Sequence, residues 1–351
     1  MADSPATSTP RPRRGRRLLV ITLVTLLVLG GGAVAGLYLV SNHLAGNVER
    51  VPSVFEPLDE AERPEPPAGE QQEARTFLLV GTDSRAEEPT TGADAENSTV
   101  EDGGVRSDVI MLLRLSADRE SAAVVSVPRD SWVHVPGHGM AKVNAAYAFG
   151  GASLLVHTLE SLTDIRIDHF AVIDFAGFES LTDAVGGITV NVAETTSHEG
   201  VTFEEGQNHL DGEEALVYVR QRYELPRGDL DRVQRHQAVM RELLGEALSE
   251  DTMRSPRRAY TLVDTATDWV SVDDTLSNGD MRSLAWGMRS MRTGDVTFLT
   301  APVSGLGREG AQSVVYLDEA RAAQLWEALN DGEVERYAAE NEDDVLGDDV
   351  R

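Results

Sequence analysis

Apolar residues along this chain occur first as one long run and then as a series of short ones. The long run is Leu18 to Val40, 23 residues without a charged side chain. Coiled as a helix at about 1.5 Å per residue it reaches about 34 Å, more than a hydrocarbon core of about 30 Å. It also exceeds the ~7–15-residue apolar region of a cleavable signal peptide, so an uncleaved transmembrane helix over 18–40 is expected. Arg11, Arg13, Arg14, Arg16 and Arg17 precede it. The positive-inside rule then makes 1–17 a cytoplasmic basic tail and places everything after about residue 41 outside a cell membrane crossed once.

The short runs have the length of strands: TFLLV (76–80), VIMLLRL (109–115), AAVVSV (122–127), HFAVID (169–174) and ITVNV (188–192), with two more at 296–301 and 312–317. Helical periodicity marks 175–185. Further helices are expected from the loop 139–147 to about Thr163, from Asp211 into Arg222, and around 255–268, 279–292 and 318–330. From Asp231 onward, Val233, Met240, Leu243, Leu244 and Ala247 form one apolar helical stripe. Ahead of the first strand, Pro52, Pro57, Pro64, Pro66 and Pro67 stand among acids, so 41–72 reads as an extended stalk. The acidic, patternless segment 86–104 reads as a flexible loop, and 331–351 as a disordered acidic tail. A folded domain over 73–330 remains between stalk and tail.

Composition narrows the function. A formal net charge of −28 argues against nucleic acid as a partner, because duplex binding needs a basic face. The absence of cysteine excludes disulfides, thiolate metal sites and a Cys nucleophile. Among 31 basic residues there is a single lysine, Lys142.

Against that acidic background the stretch Tyr218 to Arg241 concentrates cation. It holds Arg220, Arg222, Arg227, Arg232, Arg235 and Arg241 against Glu224, Asp229 and Asp231. Guanidinium grips phosphate and carboxylate bidentately, which points to an anionic, phosphorylated ligand rather than a solvated helix face. Three strands also deliver charge at or near their ends: Asp83/Arg85, Arg106/Asp108 and Arg129/Asp130. Any one pair is a salt bridge or turn cap; three, followed by the arginine-rich stretch, suggest a site. Arg232 and Arg235, three apart on one helix, are expected side by side. Asp229 fits either a first-turn or capping acid or a catalytic group. If the ligand is a pyrophosphate, phosphoryl transfer calls for a divalent cation held by carboxylates, and Asp83 and Asp108 are the natural pair. His134 and His138 are four apart but straddle Pro136 and Gly137, which makes a zinc site unexpected.

The ordered set GTDSR (81–85), RSDVIML (106–112), SVPRD (126–130), KVNAAY (142–147), GGITVNV (186–192) and RQR…GDLDRVQRHQ (220–237) resembles the LytR–CpsA–Psr family of cell-envelope proteins over about residues 75 to 245. The resemblance implies an α/β domain with a central mixed β-sheet flanked by helices and a greasy pocket for a polyprenyl chain. It implies a phosphotransferase that moves a glycopolymer from a polyprenyl-pyrophosphate carrier to a peptidoglycan hydroxyl, with Mg²⁺ or Mn²⁺ at Asp83 and Asp108. Arg85, Arg106, Arg129, Arg220, Arg222, Arg232 and Arg235 would then hold the pyrophosphate, with Lys142 from the KxNxAY motif. Asp83, Arg129 and Asp229 would act in catalysis. This sequence departs from the family where a Gln pair usually follows the last arginine: the first is His236. Retained phosphate contact with an added pH dependence is the expectation there. Hydrolysis of the lipid pyrophosphate at the same site, or a non-enzymatic envelope-binding role, are the alternatives.

Overall fold

The structure is a computed structural model that describes residues 48–82, 91, 107–221, 225 and 227–350. Its centre is a seven-stranded sheet built from β1 (Glu49–Val51), β2 (Arg75–Thr82), β3 (Ser107–Leu115), β4 (Ala122–Ser126), β7 (His169–Asp174), β12 (Val270–Asp273) and β13 (Val296–Thr300), in the order β1-β12-β7-β2-β3-β4-β13. The sheet is mixed. β2 runs parallel to β7 and antiparallel to β3, and β13 adds parallel to β4.

The strand pattern follows from burial on both faces, which gives continuous apolar runs rather than alternation. On one face Leu78, Val80, Ile110, Leu112 and Val125 pack under α1 (Val143–Thr163) and α8 (Glu319–Asp331). On the other, Leu79, Met111 and Ala171 look toward α2 (Phe175–Val185), α4 (Asp229–Ala247) and α6 (Pro256–Trp269). Between these helices lie α3 (Gly212–Arg220) and α5 (Glu250–Arg254); α7 (Asn278–Gly287) follows β12.

Four two-stranded pairs surround the sheet: β5 (Trp132–Val135) with β6 (Gly139–Lys142), β8 (Ile188–Val192) with β11 (Gly206–Leu210), β9 (Thr196–His198) with β10 (Val201–Phe203), and β14 (Val303–Glu309) with β15 (Gln312–Leu317). The β5–β6 pair occupies part of what the sequence suggests is a loop.

Two expectations are corrected. Residues 48–72 are not an extended stalk. β1 joins the sheet beside β12, Val51 and Val54 are buried in the core, and Arg63 holds the buried Glu160 and donates to the Ile167 carbonyl at 2.7 Å. The proline signal masked apolar residues spaced to anchor the segment. Nor is 331–351 disordered as far as Val350. α9 (Val334–Glu340) packs on the core, the Tyr337 hydroxyl donates to Asp344 at 2.7 Å, and Leu346 and Val350 are buried against Met111 and Phe298. Backbone bonds then tie Val350 to Asn191 and Ala193 at 3.1 and 3.0 Å.

Among the described residues no helix is long and apolar enough to cross a membrane. The span expected at 18–40 lies outside them. Of the expected loop 86–104 only Thr91 is described: buried, it donates to the Trp269 carbonyl and accepts from the Asp174 amide.

Candidate functional site

The site forms where three chain segments converge at one end of the sheet. β3 contributes Asp108 through an irregularity in its pairing with β2. Gly81 pairs Val109 and Thr82 pairs Ser107, which leaves Asp108 as the extra residue of a bulge. Bulges re-aim side chains, often beside functional sites. Gly81 has a packing reason to be glycine: a Cβ there would lie 2.9 Å from Cβ of Val109.

The chain leaving β4 contributes Arg129. Its guanidinium pairs with Asp108 through Nη1, and its Nε stands 3.6 Å from Asp229 Oδ1. Its backbone is pinned because the Asn144 amide donates to the Arg129 carbonyl at 3.1 Å. Burial works against the charge on Arg129, yet Asp108, Asp229 and Asp130 outweigh it and raise its pKa. Next along the chain, Asp130 accepts Lys142 Nζ at 3.0 Å, so Lys142 sits beside Arg129's segment rather than in the cavity.

α4 supplies the third segment. Gly228, at a positive φ of 57°, is its N-cap, and Asp229 is the first helical residue. That settles the capping question in favour of a first-turn acid. Asp229, Arg232 and His236 share one helical stripe, three and four residues apart. Asp229 Oδ1 pairs with Arg232 Nη2, while Asp229 Oδ2 is buried with no hydrogen-bond partner among the described residues. The outcome is an alternating chain, Asp108, Arg129, Asp229, Arg232.

Behind this cluster lies a cavity of about 540 Å³. Its walls are apolar: Leu79 and Met111 from the sheet, Phe178 and Leu181 from α2, Val239 and Leu243 from α4, Leu262 and Ala266 from α6. Asp108, Arg220, Arg232 and His236 also line it, together with His198 at the end of β9 and Glu199 in the turn to β10. Arg220 lays its guanidinium over the Phe175 ring at 5.3 Å. An apolar cavity with a cationic and carboxylate-bearing end suits an amphiphile with an anionic head.

Two sequence expectations fail here. Arg235 does not sit beside Arg232. It is fully buried, bonded to Gln221 Oε1 at 2.6 Å and the Tyr218 carbonyl at 3.3 Å, and stacked on the Tyr218 ring at 4.2 Å. Burial lowers its pKa. Three residues along a helix turn a side chain by about 60°, enough to send one arginine to the cluster and the other to a carbonyl.

His236 also lacks the titration expected of it. Its Nε2 lies 3.0 Å from the Val219 carbonyl, an arrangement that makes Nε2–H the donor. Burial, then the neighbouring Arg232, pull its pKa down to about 3. The imidazole is neutral at physiological pH.

Arg227 binds Asp231 and Gln234, and Arg241 binds Glu242 and the Gly347 carbonyl, so both serve structure. Asp83, Arg85, Arg106 and Arg222 lie outside the described residues. What the residues alone do not show is which side chains wall the cavity, assembled from β2, β3, β7, β9, β12, α2, α3, α4 and α6, and the turn that follows His198. Glu199 there has φ 47°, a left-handed position that a Glu-Gly turn between two short polar strands only hints at.

A mixed sheet whose one face, with its helices, borders an apolar cavity ending in paired arginines and aspartates has the shape and charge to suit an anionic amphiphile. The LytR_cpsA_psr family model matches residues 49–331, and the chain belongs to the LytR–CpsA–Psr family. The cell wall biosynthesis protein LcpA of Corynebacterium glutamicum is 34% identical over 310 residues, 78% of this chain and 59% of that protein. The polyisoprenyl-teichoic acid–peptidoglycan teichoic acid transferase TagU of Enterococcus faecalis is 38% identical over 220 residues, 62% of this chain and 67% of that protein. This chain therefore spans about three fifths of the length of the C. glutamicum relative. Among solved structures, the LytR-Csp2A-Psr enzyme from Actinomyces oris superposes with a TM-score of 0.61 at 23% identity, covering 81% of this chain and 96% of that one. TagT bound to LIIa-WTA gives 0.60 at 23%, covering 81% and 98%. These two share the fold.

Proposed function

We propose that the protein is a phosphotransferase that moves a glycopolymer from a polyprenyl-pyrophosphate carrier to a peptidoglycan hydroxyl outside a cell membrane in which residues 18–40 anchor it. The carrying observation is the cavity: an apolar chamber that ends at Asp108, Arg220 and Arg232. The polyprenyl chain fills the apolar part, and the pyrophosphate meets Arg129, Arg220 and Arg232, with Arg85, Arg106 and Arg222 as further ligands. The relatives named above as a teichoic acid transferase and a cell wall biosynthesis protein support the same chemistry.

The acceptor oxygen attacks the sugar-proximal phosphorus, the bond from that phosphorus to the bridging oxygen breaks, and polyprenyl phosphate leaves with that oxygen. The hydroxyl proton goes to a carboxylate, and Asp229, whose Oδ2 has no hydrogen-bond partner among the described residues, is poised to take it. Arg129 and Arg232 steady the charge that builds on the pyrophosphate, a contribution of a few kcal/mol per well-placed donor, on the order of 10²–10³ in rate.

Asp108 at the bulge is a hard-oxygen donor of the kind Mg²⁺ or Mn²⁺ takes, and with Asp83 it would hold the ion. The described residues contain no group of three such ligands, which is compatible with Mg²⁺ keeping several waters and taking phosphate oxygens. When bound, the ion supplies positive charge to the pyrophosphate oxygens.

The test mixes the full chain in detergent with lipid-linked glycan, peptidoglycan and Mg²⁺. Glycan joined to peptidoglycan is the expected product. No transfer, while a known transferase works in the same mixture, overturns the proposal; free glycan phosphate released without acceptor makes the protein a hydrolase.

A further inference from the structure

Resting on that transferase reading, we infer that the outward face of the β5–β6 hairpin is the docking track for the acceptor's uncharged glycan strand. The hairpin begins at the reaction centre. Asp130 follows Arg129 directly and holds Lys142, which pairs in register with Trp132. Alternation then sets two faces. Val133 and Val135 point inward and are buried, while Trp132, His134, Met140 and Lys142 share the outward side. Met140 is 52% exposed.

The strip ends in an aromatic ledge. His138 in the turn stacks on Phe149 of α1, with ring centroids 4.6 Å apart and an interplanar angle of 15°, and Phe149 is 51% exposed. Immediately after Phe149 the helix is broken at Gly150 and Gly151, whose backbone leaves helical geometry. At about 3.3 Å per residue the turn lies about 13 Å along the strand from Lys142, room for a short oligosaccharide rather than one sugar.

Charge decides which polymer fits. Among the described residues the fixed cation on the strip is Lys142, and it is taken by Asp130. Flat apolar rings with histidine and no uncommitted cation suit the C–H faces of neutral pyranoses and offer nothing to a phosphate-bearing polymer. The strip also lies away from the lipid: the cavity is lined by residues of β2, β3, β7 and β12 and by none from β5 or β6. Arg129 therefore stands between the lipid chamber and the glycan track.

Chitotetraose, an uncharged β-1,4-linked N-acetylglucosamine tetramer, is the probe, titrated by calorimetry into the full chain in detergent. The wild type binds it; Phe149→Ala and His138→Ala each weaken binding about three- to tenfold, in keeping with a lost stacking contact, and Phe149→Tyr retains it. Circular dichroism confirms folding, and if Phe149→Ala does not fold, His138→Ala in the turn and Met140→Ser on the exposed face of β6 carry the test. Equal affinity across wild type and ledge variants, or no binding by the wild type, overturns the inference. The titration needs no lipid donor, so binding without transfer counts against the proposed function alone, and transfer without ledge-dependent binding against the track alone.

Discussion

Replacing His236 with glutamine separates a catalytic role from a structural one. The native imidazole has its pKa pulled to about 3 from an ordinary 6.5, first by burial and then by Arg232. A histidine kept neutral in the fold binds fewer protons than the unfolded chain below pH 6.5, so its contribution is present above that value and is lost as pH falls toward about 3. Between pH 7 and pH 5 the unfolded imidazole goes from about one quarter to almost fully protonated while the native one stays neutral. At 1.36 kcal/mol per unit this removes about 2 kcal/mol of stability. Glutamine keeps a donor for the Val219 carbonyl and cannot titrate. Urea unfolding of the two proteins, followed by tryptophan fluorescence at pH 7 and pH 5, should show the wild type losing about 2 kcal/mol more than His236→Gln. The pH profile of transfer from about 5.5 to 8 should be the same for both, because the group is uncharged throughout. A profile that shifts on substitution, or equal acid losses, would show that His236 titrates at the site and refute the buried-neutral assignment.

The other substitutions probe separate parts of the structure. Arg235→Ala should cost about 2–4 kcal/mol in urea unfolding, since it strips Gln221 and the Tyr218 carbonyl of a buried partner; a KM change without a stability loss would return Arg235 to the substrate. Arg220→Ala should raise KM for the lipid-linked donor about tenfold or more while leaving the melting temperature nearly unchanged, because its cation lies over Phe175 and has no ion-pair partner among the described residues. Ala266→Phe should fill the cavity and deplete polyprenyl phosphate from the purified protein, read by mass spectrometry; undiminished lipid would place the chain elsewhere. Truncation after Asp331 should cost at least about 3 kcal/mol, because it uncovers the sites of Tyr337, Leu346 and Val350. An unchanged urea midpoint would mean that the tail adds nothing.

The parts legible in the sequence are those where one physical demand acts on consecutive residues. β2, β3 and β4 are buried on both faces and so write themselves as apolar runs, and α4 shows its stripe because one face meets the core. The short pairs β5–β6 and β9–β10 mix exposed and buried positions over three or four residues, too few for a period to emerge. The segment 48–72 misleads because proline marks both extended linkers and turns pressed onto a domain, and scattered residues such as Val48, Val51, Val54 and Leu58 tell them apart. The site is half legible. Residue type brings Asp108, Arg129, Asp229 and Arg232 forward together, but nothing in the types distinguishes Arg232, paired at the cluster, from Arg235, which spends its donors on Gln221 and a carbonyl. The Asp108 bulge and the cavity depend on register and on helices far apart in the chain.

A chain of net charge −28 can hold an anion because the acids that set that number mostly act beyond reach. At physiological ionic strength the screening length is about 8 Å, so the field at the site belongs to its own members. There, two carboxylates and two guanidiniums alternate from Asp108 to Arg232, nearly cancelling. Cancellation keeps Arg129 and Arg232 charged and fixed while the site is empty of substrate, which spares the reorganisation that loose cations would need when charge develops. It also means that the pair alone does not attract the pyrophosphate. Net attraction has to come from cations outside the balance, and among the described residues Arg220 at the rim is the one placed for it. The same alternation sets Asp229 apart: both its arginines approach Oδ1, leaving Oδ2 buried and without a hydrogen bond among the described residues. Under the proposed function, that oxygen is the one turned toward the phosphorus the arginines would bind and open to an incoming hydroxyl.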